Sequence, residues 1–89
     1  MSAYQVNKLC HRLYHDAGFR DAIKADPARA IADWPLTTEE RAALLSGDVK
    51  RLYESGAHPF LLSHISRWSL FGVTPAIYAE RIHDARDPG

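Results

Sequence analysis

Apolar residues recur three and four positions apart along this chain, and polar or glycine/proline punctuation interrupts them at short intervals. Val6, Leu9, Cys10, Leu13, Tyr14 and Ala17 form one such stripe, which predicts an amphipathic helix stopped by Gly18 as its C-terminal cap. The run FRDAIKA is a second, shorter helical piece. Asp26-Pro27 then restarts the chain, with a carboxylate to accept an orphan amide and a proline preset for the first helical position. PARAIADW follows and must end before Pro35, because the residue preceding a proline is pushed out of the helical region.

Thr37 and Glu40 have the spacing of a capping box ahead of a helix that carries Leu44 and Leu45 and breaks at Ser46-Gly47. Asp48 caps VKRLYES, whose buried face is predicted to be Val49, Leu52 and Tyr53, with Gly56 closing it. Pro59 opens PFLLSHISRW, which runs out near Ser69 and Gly72. Thr74-Pro75 repeats the cap-then-proline signature before AIYAERIH, and the tail from residue 84 to 89 is expected to fray. No run alternates with period two for long enough to be a strand. The pattern predicts an all-α protein, a compact single domain of short helices spanning residues 1–89.

Length and charge narrow the functional classes. Eighty-nine residues make one small domain, and a hydrophobic share of 46% is enough for a core without a covalent staple. Eleven basic residues balance eleven acidic ones, which argues against nucleic acid or an anionic membrane as partner, since either needs a basic stripe. A net charge of zero also gives little colloidal protection and favours association with a partner or with itself. Cys10 is the only cysteine, so no internal disulfide forms. With no signal-like N-terminal run and no stretch of transmembrane length, the expected location is cytoplasmic.

Catalytic chemistry is harder to find. His11 and His15 are four apart on one helix, a spacing that metal sites use. They lie opposite the apolar stripe, however, and Arg-Leu-Tyr stands between them where a zinc protease has its glutamate base. His58 and His64 are six apart, so one helix points them about 120° from each other and they cannot share a metal. His58, just before Pro59, is placed to satisfy an amide at a helix start. Cys10 sits on the apolar stripe, where burial keeps a thiol protonated and inert. No glycine-flanked serine or glycine-rich phosphate loop is present. The residues predict no catalytic group and no metal ligand in this chain.

Residues 5 to 82 as a whole resemble a known family. The matching pieces are VNKL near the start and then FRDAIKADPARAIADWPLTTEERAALLSGDVKRLYESGAHPFLL. Within them Phe19-Arg20, Asp26, Leu36-Thr37, Glu40-Arg41, Gly47-Asp48, Leu52 and Gly56 occur in the family's order. The family is the small, alpha subunit of extradiol ring-cleaving dioxygenases of the protocatechuate 4,5-dioxygenase type. The resemblance implies a helical accessory subunit that covers the active site of a larger α/β catalytic subunit acting on a catechol or aminophenol. In that partner two histidines and a glutamate hold Fe(II), and the small subunit contributes no ligand. On this reading His58, Trp68 and Phe71 are the candidates to face substrate or partner, chosen by position and chemistry. Trp68, Leu70 and Phe71, near a predicted helix end, are expected to protrude. The alternative is a stand-alone helical interaction module of the same fold, possibly a homodimer, which gains if those side chains fill the domain's own core.

Overall fold

A computed structural model describes residues 3–86, and among them every regular element is helical. The order is α1 (Tyr4–His15), α2 (Ala17–Ala25), α3 (Pro27–Ala30), α4 (Thr38–Ser46), α5 (Val49–Glu54), α6 (Pro59–Arg67), a 3₁₀ turn (Leu70–Gly72) and α7 (Pro75–His83). The expected all-α single domain is what forms.

Helices this short have a large share of their backbone groups at the ends, and those groups need partners. A side chain accepts a backbone N–H at the start of every helix from α2 to α7. Asp16, Asp26, Asp48 and Thr74 take the amides of Phe19, Arg29, Arg51 and Ile77. Thr37 and Glu40 complete a reciprocal capping box at α4. His58 caps α6 through Nδ1, which accepts from the Phe60 amide at 3.2 Å. The sequence pattern missed one of these. Asp16 ends α1 and caps α2, so Gly18 lies inside α2 and is no C-terminal cap. A carboxylate placed to accept the Phe19 amide at 2.9 Å outweighs the glycine's preference for a left-handed stop.

Three of the carbonyl ends are held by arginines. Arg20 donates to the Leu13 carbonyl at 2.6 Å, Arg41 to those of Ile31 and Trp34 at 2.6 and 2.8 Å, and Arg81 to that of Gly47 at 2.6 Å. A guanidinium suits this role because it is always charged and offers several donors in one plane. Gly47 itself adopts φ 70° and ends α4 in the left-handed conformation. A Cβ there would lie 2.6 Å from a Val73 methyl and 2.8 Å from the Phe71 carbonyl oxygen, so only glycine fits.

The core gathers from all parts of the chain, with Leu9, Leu13, Ile31, Leu44, Leu62 and Val73 fully inaccessible. The helix α1 packs chiefly on α6, α2 on α3, and α4 on α5, while α7 lies against α5 and α6. Asn7 meets His58, and Tyr14 meets His64 and Trp68, so α1 and α6 run side by side in the same direction. The α1 stripe is narrower than its pattern predicts: Val6, Leu9, Cys10 and Leu13 are buried, whereas Tyr14 is 48% exposed and Ala17 is open to solvent. In α4 the buried partner of Leu44 is Ala43, and Leu45 is 37% exposed. Tyr53 is half-buried beside Val49 and Leu52. Of the tail expected to fray, Asp84 caps α7 and the Arg86 amide donates to Glu54, while residues 87–89 lie outside the described region.

Denaturant melts test these roles. Asp26→Ala and Asp48→Ala are each expected to cost about 1 kcal/mol through a lost cap. Leu13→Ala and Leu52→Ala should cost roughly 2–5 kcal/mol through the cavity left behind. Gly47→Ala combines a positive φ with a steric clash and should cost roughly 2–4 kcal/mol. A Gly47→Ala variant as stable as wild type would show that the α4 end can move away from Val73.

Candidate functional site

The three residues nominated by sequence occupy two ends of one helix. His58 is exposed at the start of α6, and its backbone N–H donates to Asn7 Oδ1 at 2.8 Å. Because His58 Nδ1 accepts the Phe60 amide, the neutral ring carries its proton on Nε2 and presents a donor there. Trp68 ends α6, about 15 Å away at 1.5 Å of rise per residue. It is half-buried, with the Arg20 guanidinium 4.1 Å and the Arg67 guanidinium 5.1 Å from its ring centroid. Phe71 lies further on, in the 3₁₀ turn, also half-buried and packed against the core. Between them Leu70 is buried. The residues expected to protrude therefore lean largely inward.

The path through this segment is strained. Ser69 and Phe71 both have φ 53°, in the left-handed region that a bulky residue seldom enters. The Phe71 carbonyl approaches Gly47 so closely that a Cβ there would lie 2.8 Å from its oxygen. Strain of this kind persists only where surrounding contacts impose it.

What connects the two ends is an aromatic row that sequence reasoning did not single out. Phe60, His64 and Trp68 follow at four-residue spacing along α6, with ring centroids 5.1 and 6.0 Å apart. From α1, Tyr14 stacks on His64 at 5.0 Å, His15 meets Tyr14 at 4.8 Å, and His11 meets His15 at 4.6 Å. Phe60 is 65% exposed and Tyr14 is 48% exposed. The four-residue repeat was visible in the sequence; the apposition of α1 that makes it a surface was not.

The described residues show no grouping suited to metal or nucleophilic chemistry. His11 and His15 are adjacent and exposed, but among the described residues no three His, Cys, Asp or Glu side chains come together to hold an ion. A non-haem Fe(II) centre needs two histidines and a carboxylate, so the residues present do not fit that group. Cys10 is fully buried, and desolvation pushes its thiol up to about 12. A groove of about 270 Å³ between α4 and α5 is lined by Thr37, Glu40, Ala43, Arg51 and Leu52. Its Glu40 is already committed to the capping box. No helix is long and apolar enough to cross a membrane among the described residues.

His64 has the chemistry most sensitive to its surroundings. Burial beneath the row lowers its pKa, and the charges of Arg67, His11 and His15 lower it further. In the unfolded chain a histidine titrates near pH 6.5. The unfolded state therefore takes up a proton that the folded state refuses. Stability is expected to fall as pH drops below about 6.5 and to level off beneath the folded-state pKa. Melts between about pH 7.5 and 5 should show this slope, and His64→Gln should flatten it. An unchanged slope in the variant would assign the acid sensitivity to other groups.

Comparison with known proteins bears on this arrangement. No curated protein and no solved structure matches the chain. A family profile does, over residues 6–80: the LigA subunit of the aromatic-ring-opening dioxygenase LigAB. The match spans most of the sequence and contains the amide-end caps, the Arg20 and Arg41 clamps and the aromatic row together. By that match the chain belongs to the LigA family, the small subunits of aromatic-ring-opening dioxygenases.

Proposed function

We propose that the protein is a non-catalytic accessory subunit that covers the active site of a larger Fe(II)-dependent extradiol dioxygenase acting on a catechol or aminophenol. The observation that carries this reading is the family match over residues 6–80. It is supported by a chain whose described residues bring together no iron site and whose thiol is buried and protonated. In this reading the iron belongs wholly to the partner, and the small subunit acts by shape. It excludes bulk water from the ring-binding pocket and supplies part of its wall, which strengthens every polar interaction inside. Trp68 and Phe71 are the apolar wall, and the strained Phe71 backbone supports a role beyond packing. His58 offers its Nε2 proton as a polar contact.

A second reading, a stand-alone helical interaction module, is favoured by one observation: Trp68 and Phe71 are half-buried against this domain's own core. The two readings separate on assembly.

The purified chain alone is expected to carry no stoichiometric iron and to open no catechol ring, by metal analysis and oxygen-uptake assay. Co-expressed with the large catalytic subunit it should form a hetero-oligomer. Trp68→Ala and Phe71→Ala should each weaken that assembly by about 2 kcal/mol or more, as truncation of an aromatic anchor does. Iron with turnover in the isolated chain would overturn the accessory reading. Variants that unfold the isolated chain would assign both rings to the core and favour the stand-alone module.

A further inference from the structure

The overall neutrality of the chain conceals a segregation of charge. Neither α1, YQVNKLCHRLYH, nor α6, PFLLSHISR, contains a single carboxylate. All eleven acidic residues lie elsewhere in the chain. The two helices that pack on each other carry Lys8, Arg12, Arg67, His11, His15 and His64 instead. Asp16, just past α1, pairs with Arg12 at 3.2 Å and neutralises it. Among the described residues Lys8 and Arg67 make no ion pair. Lys8 lies 5.8 Å from the Tyr4 ring, and Arg67 lies 5.1 and 6.0 Å from those of Trp68 and Tyr14. The result is a face with exposed aromatic rings, Phe60 and Tyr14, beside cations that no carboxylate of the same face balances.

Resting on the accessory-subunit reading, we propose that this α1/α6 face docks on the large catalytic subunit, against a patch with an apolar hollow for Phe60 and carboxylates for Lys8 and Arg67. Three physical points select that occupant. Phe60 is an aromatic anchor already held by packing on His64, so its burial costs little rotamer freedom. The cations need acidic counterparts, and complementary charge sets orientation and speeds encounter. A second copy of this chain is a poor fit, because a two-fold contact through this face would bring the cations of one copy against those of the other, with no carboxylate of α1 or α6 to meet them. Nucleic acid is a poor fit as well. Arg12 is paired and Arg20 is bound to carbonyls, which leaves far fewer free cations than the 6–10 or so phosphate contacts of a typical complex.

The test co-expresses the chain with the large catalytic subunit encoded in its source genome and measures Kd for three variants. Phe60→Ala and Arg67→Glu alter exposed side chains, so the chain should stay folded with wild-type helicity and lose only a little melting temperature, Arg67→Glu because it puts a carboxylate at the C-terminal end of α6. Each is expected to weaken assembly about tenfold or more, and Arg67→Glu should also reduce its salt sensitivity. Leu45→Ser, an exposed apolar residue on α4, is the control and should leave assembly unchanged. A carboxylate-to-lysine substitution on the large subunit that restores binding to Arg67→Glu would fix the register of the contact. Wild-type assembly that neither Phe60→Ala nor Arg67→Glu weakens overturns the docking face and leaves the accessory reading standing. Failure of the wild-type chain to assemble overturns both. A homodimer broken by Phe60→Ala, or an oligonucleotide that binds the wild type and not Arg67→Glu, gives the face another occupant and overturns the proposal.

Discussion

Satisfying the ends of short helices is the constraint on which this fold depends. A helix of six or nine residues, such as α5 or α6, leaves a large share of its backbone donors and acceptors without intrahelical partners. A cluster of such helices would be expensive in buried polar groups unless side chains stood in. Here the amide ends take aspartate, threonine or histidine, and three carbonyl ends take a guanidinium. The arginines do more than saturate hydrogen bonds. Arg41 ties α4 back to the segment after α3, and Arg81 joins α7 to the end of α4, so each cap is also a tertiary contact. Burial of Leu9, Leu13, Leu44 and Leu62 supplies the driving force, and the caps allow so many helix ends to approach the same core.

This division explains what could be read from the sequence. Asp26, Thr37 with Glu40, Asp48 and Thr74 announced their helices because a cap is a local device, complete within four residues. Asp16 escaped notice because it serves two helices at once and the neighbouring glycine suggested a different stop. Tyr14 and Leu45 fit the helical period yet remain exposed, since periodicity names a face without saying how wide the neighbours make the seam. The aromatic row was illegible for a stronger reason. It needs α1 beside α6, and Tyr14 lies fifty positions from His64.

The residues that carry the family resemblance turn out to be mainly architectural. Phe19 and Leu52 are core, Arg20 and Arg41 clamp carbonyl ends, Asp26, Thr37, Glu40 and Asp48 cap, and Gly47 and Gly56 have positive φ. Such a set specifies a scaffold with confidence and says little about what the scaffold touches. The surface chemistry had to come from the structure, where the neutral total resolves into a carboxylate-free aromatic face and an acidic remainder. Net charge excluded partners only in the average; the distribution is what a partner meets.

The pairing of α1 with α6 also has a consequence during synthesis. The first helix leaves the ribosome with Leu9 and Leu13 on its apolar stripe, and their cover arrives from the far half of the chain. At translation rates of about 5–20 residues per second, that interval is on the order of seconds. The α2–α3 and α4–α5 pairs are neighbours in sequence and can close as they emerge. The first helix can pack early on α2, but its main cover is missing until residues 59–67 appear. During that waiting period the apolar stripe of α1 is open to chaperones and to aggregation.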